Sequence, residues 1–140
     1  MIDLVDRERI KDKLASLENQ LKSLREKQSI PIEEYRKDGD LQAIVERRLQ
    51  NSIQACIDIG MHIASEEGSR KPESYADIFT ILEELEVINP ELSQKMKEKT
   101  GLRNVLAHEY AEIINEKVYE HLQDLKTFEE FAKTINNHFL

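Results

Sequence analysis

The chain has no tryptophan, four glycines, three prolines and one cysteine in 140 residues. Each shortage excludes something. Scarce glycine and proline disfavour a β-sandwich, which needs a turn every few residues. A lone cysteine, Cys56, cannot close an internal disulfide, which fits a reducing compartment. No apolar run approaches the roughly 20 residues needed to span a bilayer. The opening stretch MIDLVDRERIKDK lacks the layout of a signal peptide. A cytoplasmic protein with no membrane partner is therefore the expectation. Positive charge is short as well: 20 Lys and Arg face 28 Asp and Glu, a net charge of -8. That balance argues against broad, sequence-independent nucleic-acid binding by the whole surface, while leaving room for a local basic cleft. What the chain has in plenty is Leu, Ile, Glu, Lys and Gln, all compatible with helix. At this length there is room for one domain with a real core, so residues 1–140 read as a single all-α domain.

Hydrophobic spacing predicts about five helical segments. In residues 6–28, Ile10, Leu14, Leu17, Leu21 and Leu24 alternate steps of four and three, a narrow stripe suited to packing on one other helix. Pro31 ends that segment. In residues 40–67, Leu41, Val45, Leu49, Ile53, Ile57 and Met61 recur every four, with Ile44, Cys56 and Ile63 widening the face. Ser74 with Asp77 three residues on is a capping-box-like start for a third helix, which runs to about residue 86 and turns Ile78, Phe79, Leu82 and Leu85 inward. Asn89-Pro90 starts a fourth, an N-cap followed by proline at the first helical position. It carries Leu92, Met96, Leu102, Val105 and Leu106, with Gly101 as a candidate kink. The last segment, residues 116–137, buries Val118, Leu122, Leu125, Phe128, Ala132 and Ile135. Short connections make an antiparallel, up-and-down bundle the expected architecture.

One stretch stands out from this amphipathic background: RNVLAHEY, residues 103–110. Arg103 carries a permanent charge on a planar fork that suits phosphate oxygens. His108 can take or give a proton near neutral pH. A cation that stabilises a phosphorane and a group that moves a proton suffice for RNA cleavage without a metal, with the RNA's own 2′-hydroxyl attacking the adjacent phosphate. On an ideal helix Arg103 and His108 lie roughly 140° apart, whereas Asn104 and His108 share a face. Three ways of bringing the pair together stay open: Arg103 curls round, a kink at Gly101 re-aims it, or a second copy of the protein supplies the complementary half of the site.

Other groupings compete. Asp58, His62 and Glu66 fall at i, i+4 and i+8, a row with metal-ligand chemistry. The plainer alternative is a polar stripe with an Asp-His pair, and between the two stands a row that faces the motif helix and orients Arg103 or His108. His108-Glu109 begins like a zinc-protease helix, but Glu112 occupies the place of the second histidine. Lys95, Lys97 and Lys99, with Arg47 and Arg48, are candidate phosphate contacts, set against a solvated face paired with Glu91, Glu98 and Glu46. Tyr35, Tyr75 and Tyr119 read as boundary residues with a buried ring and a wet hydroxyl. No metal site and no cofactor are expected.

RNVLAHEY also matches the R-x4-H-x-Y signature of the HEPN superfamily, and the chain resembles its HepT-like toxin branch. LQNSIQACIDIGMHI is similar to that family's long second helix, SYADIF followed by LEEL to its third, and VYEHLQDLKTFEEF to its last. The resemblance implies an all-helical bundle that dimerises so that two motif helices line one cleft. It implies a metal-independent endoribonuclease acting on RNA, with Arg103 and His108 in the active site and Asn104 positioning His108 or the phosphate. It further implies a cognate antitoxin, an MntA-like minimal nucleotidyltransferase that attaches AMP to the motif tyrosine, here Tyr110. The rival reading is a non-catalytic nucleotide- or phosphate-binding accessory subunit of such a transferase, and the plainest is a helical scaffold without a ligand. Arg103 and His108 serve both of the first two.

Overall fold

The computed structural model describes residues 5–68, 70–108 and 112–140. The described residues form seven helices: α1 (Arg7–Arg25), α2 (Ile32–Lys37), α3 (Gly39–Glu67), α4 (Tyr75–Glu84), α5 (Pro90–Ala107), α6 (Asn115–Gln123) and α7 (Lys126–Phe139). None is long and apolar enough to cross a membrane. The expected all-α bundle is therefore the observed class, with two more helices than the periodicity indicates.

The longest helix, α3, is the central one. Val45, Leu49, Ile53 and Ile57 are buried along one line, and Cys56, Ile59 and Ile63 widen it. A stripe that broad can bury only against several neighbours, and α3 packs on α1, α4 and α5 as well as α2, α6 and α7. Its pairing with α1 is antiparallel, because Arg9 meets His62, Lys13 meets Asp58 and Gln20 meets Arg48. Cys56 lies fully buried in this core, and burial pushes its thiol up, away from thiolate reactivity.

The start signals operate as chemistry. Asp6, Asp38, Ser74 and Asn89 each accept a backbone N–H three residues on, at 3.1, 3.1, 3.0 and 2.7 Å. Each satisfies one of the donors that a helix N-terminus leaves orphaned. Asp77 also accepts from the Glu73 N–H and pairs with Arg70 at 2.6 Å, which ties the preceding loop to α4.

Two departures from the sequence reading have physical causes. The last segment breaks in two at Asp124, whose carbonyl and carboxylate both accept from Lys99, reaching across from α5. The short α2 fills what spacing left as a connection, seating Tyr35 in the core with its ring 5.4 Å from that of Tyr119. Tyr119 follows the boundary pattern by donating its hydroxyl to the Ile30 carbonyl. Tyr35 does not, since its hydroxyl is buried and has no hydrogen-bond partner among the described residues.

Two glycines lack room for a side chain. A Cβ on Gly68 would meet the Ala64 carbonyl oxygen, and one on Gly60 would stand 2.6 Å from Ile78 Cγ2. A side chain at Gly60 would force Ile78 or the close crossing of α3 and α4 to shift. That crossing seats the first turn of α4, and with it Tyr75, beside the motif helix.

Candidate active site

The site forms where α3, α4 and α5 meet. Arg103 projects from the last turns of α5, half-buried, and three groups hold it. Its Nε donates to Gln54 Oε1 on α3 at 3.2 Å. Its guanidinium carbon stands 4.9 Å from the centroid of the Tyr75 ring on α4, an arrangement in which the ring quadrupole attracts the cation. Its Nη1 lies 3.4 Å from Asn104 Oδ1, a long contact. All three partners are neutral. Arg103 makes no ion pair among the described residues, so none of them cancels its charge.

Behind Gln54 stands Asp58, one helical turn further along α3. Gln54 Nε2 donates to Asp58 Oδ1 at 2.9 Å, and Lys13 of α1 donates to Asp58 Oδ2 at 3.1 Å. Among the described residues, Asp58 thus reaches the motif helix through Gln54. His62 does not reach it. Its Nε2 accepts the Asp6 backbone N–H at 2.8 Å and its Nδ1 edge meets Arg9 Nη1 at 3.4 Å. The expectation that His62 orients the motif is corrected accordingly: this ring is committed to the N-terminus of α1, where it satisfies an orphan donor.

His108 is the C-cap of α5, exposed, with φ -91° and ψ 116°. The chain leaves helical geometry there, so the angular separation of an ideal helix does not govern where its imidazole points. The helix runs without interruption through Gly101, which removes that residue as the source of a helix break. Asn104 is exposed on the last full turn, and Val105, expected in the core, is 37% exposed. Tyr110 lies outside the described residues.

The lysines separate into two kinds. Lys95 is a surface residue paired with Glu91 at 3.5 Å. Lys99 is 1% exposed, which withdraws it from any phosphate. Its Nζ contacts His121 Nδ1 at 2.8 Å and Asp124 Oδ2 at 3.1 Å and stands 5.0 Å from the Phe128 ring. Burial holds the Lys99 ammonium below the ordinary lysine range, and the Asp124 carboxylate partly restores it. Burial, and then the Lys99 cation, push His121 down to about 4. Neutral His121 can therefore accept from Lys99 through Nδ1. Arg48, another candidate phosphate contact, donates to Gln20 on α1.

Sequence reasoning missed Gln54 and took Tyr75 for an ordinary boundary residue. A signal for Gln54 was present. Gln54 and Asp58 are i and i+4, a spacing at which glutamine and aspartate hydrogen-bond on a helix. The polar row on α3 extends upstream from Asp58 to Gln54 rather than downstream to Glu66.

Comparison with known proteins shows what the chain is similar to. The sequence pattern of a family described as ribonuclease HepT-like matches residues 17–135. The chain is 36% identical over 104 residues to an mRNA nuclease HepT of Shewanella oneidensis, covering 71% of this chain and 78% of that protein. It is 30% identical over 132 residues to a tRNA nuclease HepT of Aphanizomenon flos-aquae, covering 94% and 90%. The fold superposes with a TM-score of 0.85, at 31% identity over 94% of this chain and 99% of the other, on a tri-AMPylated HEPN toxin of Shewanella oneidensis in complex with an MNT antitoxin.

Proposed function

The chain belongs to the ribonuclease HepT-like family, and from that premise we propose that it is an endoribonuclease toxin cutting RNA without a metal at a cleft built by Arg103 and His108. The observation that carries this reading is the state of Arg103. A guanidinium held by neutral groups alone among the described residues keeps its charge for an anion, and the exposed His108 stands five residues on at the end of the same helix. In the reaction the RNA 2′-oxygen forms a bond to the adjacent phosphorus as the bond to the 5′-oxygen breaks. The products are a 2′,3′-cyclic phosphate and a 5′-hydroxyl. Arg103 stabilises the charge that gathers on the phosphoryl oxygens. His108 moves a proton, either from the 2′-hydroxyl or to the departing 5′-oxygen. Asn104, beside Arg103, helps to position the phosphate.

The working unit is a homodimer with the two motif helices along one cleft. Val105, an apolar side chain left partly exposed between Arg103 and His108, supports a second copy there. Control falls to an MntA-like nucleotidyltransferase antitoxin that adenylylates Tyr110. The support is the relative of known structure, which is AMPylated and bound to an MNT antitoxin. AMP on that tyrosine adds an anion to the motif that carries Arg103, a competitor for the charge that RNA phosphate would meet.

The test is cleavage of a defined RNA with a chelator present, followed by end-group analysis. Wild type is expected to leave the cyclic phosphate, and Arg103→Ala and His108→Ala to lose at least about 100-fold in rate with unchanged helical content. Persistent cleavage by the His108 variant overturns the assignment. A wild type that cuts no RNA yet binds nucleotide makes the protein the accessory subunit instead.

A further inference from the structure

A glutamine side chain is nearly symmetric in shape and opposite in chemistry at its two ends. One end only accepts hydrogen bonds and the other only donates. Facing an arginine, the wrong end is worse than none, because an NH2 set against a guanidinium pairs donor with donor. Something has to decide which end Gln54 presents to Arg103, and Asp58 does so. A carboxylate is an acceptor alone, so it takes the Gln54 Nε2 at 2.9 Å and leaves Oε1 turned toward Arg103 Nε at 3.2 Å. Asp58 is itself pinned by Lys13, which takes its other oxygen at 3.1 Å. The order Lys13, Asp58, Gln54, Arg103 runs cation, anion, amide, cation through three helices, each link donating or accepting in the only sense its neighbour allows.

We propose that Gln54 is the positioning residue for Arg103, oriented by the Lys13–Asp58 pair, and that it serves the cleavage reaction by fixing the guanidinium at Nε so that its two terminal nitrogens face the RNA phosphate. The proposal rests on the reading of Arg103 given above. Holding Nε consumes the one donor on the inner edge of the fork. Nη2, together with the second hydrogen of Nη1 beyond its long contact with Asn104, stays available for the two parallel bonds that arginine makes to phosphate oxygens. Tyr75 restrains the plane from its face while Gln54 restrains it from its edge, so rotation about the last side-chain bonds is limited before RNA arrives. The partner is neutral for a reason. A carboxylate at position 54 would hold Nε as firmly but would cancel the charge that the phosphate is meant to meet.

The experiment uses the full chain and two readouts, one of which does not depend on cleavage. In nitrogen-15 spectra the Arg103 Nε–H resonance is expected to be resolved and protected from solvent exchange in wild type. It should be averaged away in Gln54→Met, which keeps the volume and removes the acceptor, and retained in Gln54→Glu. In cleavage assays Gln54→Met should lower kcat about 10-fold or more, since misplacing a reacting group by about an ångström can cost up to about 100-fold. Its KM should change much less. Asp58→Asn, a partly exposed substitution that does not threaten the fold, should release the amide and give an intermediate loss. In an Arg103→Lys background, which has no Nε, Gln54→Met should add nothing. A protected Nε–H in Gln54→Met overturns the proposal, as does an unchanged kcat in that variant while wild type cuts. If wild type cuts no RNA, the functional reading falls separately, and the resonance alone decides whether Gln54 fixes Arg103.

Discussion

Two cations stand one helical turn apart on α5 and are treated in opposite ways. Lys99 is enclosed, partnered by an imidazole, a carboxylate and an aromatic face. Arg103 is half-buried and partnered by two amides and an aromatic face. Both are immobilised, but among the described residues only Lys99 is given a counter-charge. A charge met inside the protein becomes part of the architecture, here the tie that holds α6 and α7 against α5 and interrupts the helix at Asp124. A charge held by dipoles alone is fixed in place and still available to a ligand, because neutral partners restrain geometry without cancelling the field.

The contrast breaks most visibly if each cation is removed in turn. Lys99→Ala deletes a buried stem and leaves His121 and Asp124 without their shared donor, so urea unfolding should show a loss of about 2–4 kcal/mol. Arg103→Ala should cost under about 1 kcal/mol, because no charged partner is orphaned. Equal losses would mean that Arg103 is as structural as Lys99. A second substitution acts on one site and spares the other. Gly60→Ala forces a methyl against Ile78, and overpacking of this kind costs about 1–3 kcal/mol. The strain lifts the first turn of α4, where Tyr75 sits, so cleavage should fall several-fold, while the Lys99 cluster on α6 and α7 stays as it is. Thermal unfolding and rate measured on one sample separate the two effects.

The smallest effect sharpens the architectural side. His121 titrates at about 4 in the folded chain against an ordinary 6.5. Above pH 6.5 it is neutral in both folded and unfolded chains and contributes nothing to pH dependence. As pH falls from 6.5 toward 4, the unfolded chain binds a proton that the folded chain refuses, so stability declines through that window. His121→Gln still offers Lys99 an oxygen and cannot titrate. Its melting temperature should therefore fall less than that of wild type between pH 7 and pH 4.5, and identical slopes would show that burial and Lys99 do not hold His121 neutral.

How much of this was legible follows from the range of each interaction. The N-caps, the Asn89-Pro90 start and the R-x4-H-x-Y motif are local, and all can be read from neighbouring residues. Lys99 could not be. A lysine between Glu98 and Thr100 reads as a surface residue, and its burial depends on where α6 and α7 come to lie. His62 sits in the same polar row of α3 as Asp58, but its ring bonds Asp6 and Arg9 at the start of α1 while Asp58 also orients Gln54, because periodicity reports a helix face and says nothing of which partner covers it.

By itself, the sequence determined that the chain is helical, where most helices begin and which side of each is apolar, and it raised Arg103 and His108 as candidates. Those properties depend on backbone propensity, capping and the 3.6-residue repeat, which act within a turn or two. Only the tertiary structure decided that Gln54 faces Arg103, that Asp58 orients Gln54, that Tyr75 covers the guanidinium, and that Lys99 is sealed away. Each of those is a contact between helices, set by the approach of α3, α4 and α5 and by the close crossing at Gly60. Hydrogen bonds and ion pairs act over a few ångströms, so residues far apart in sequence acquire a shared chemistry only when packing brings them together.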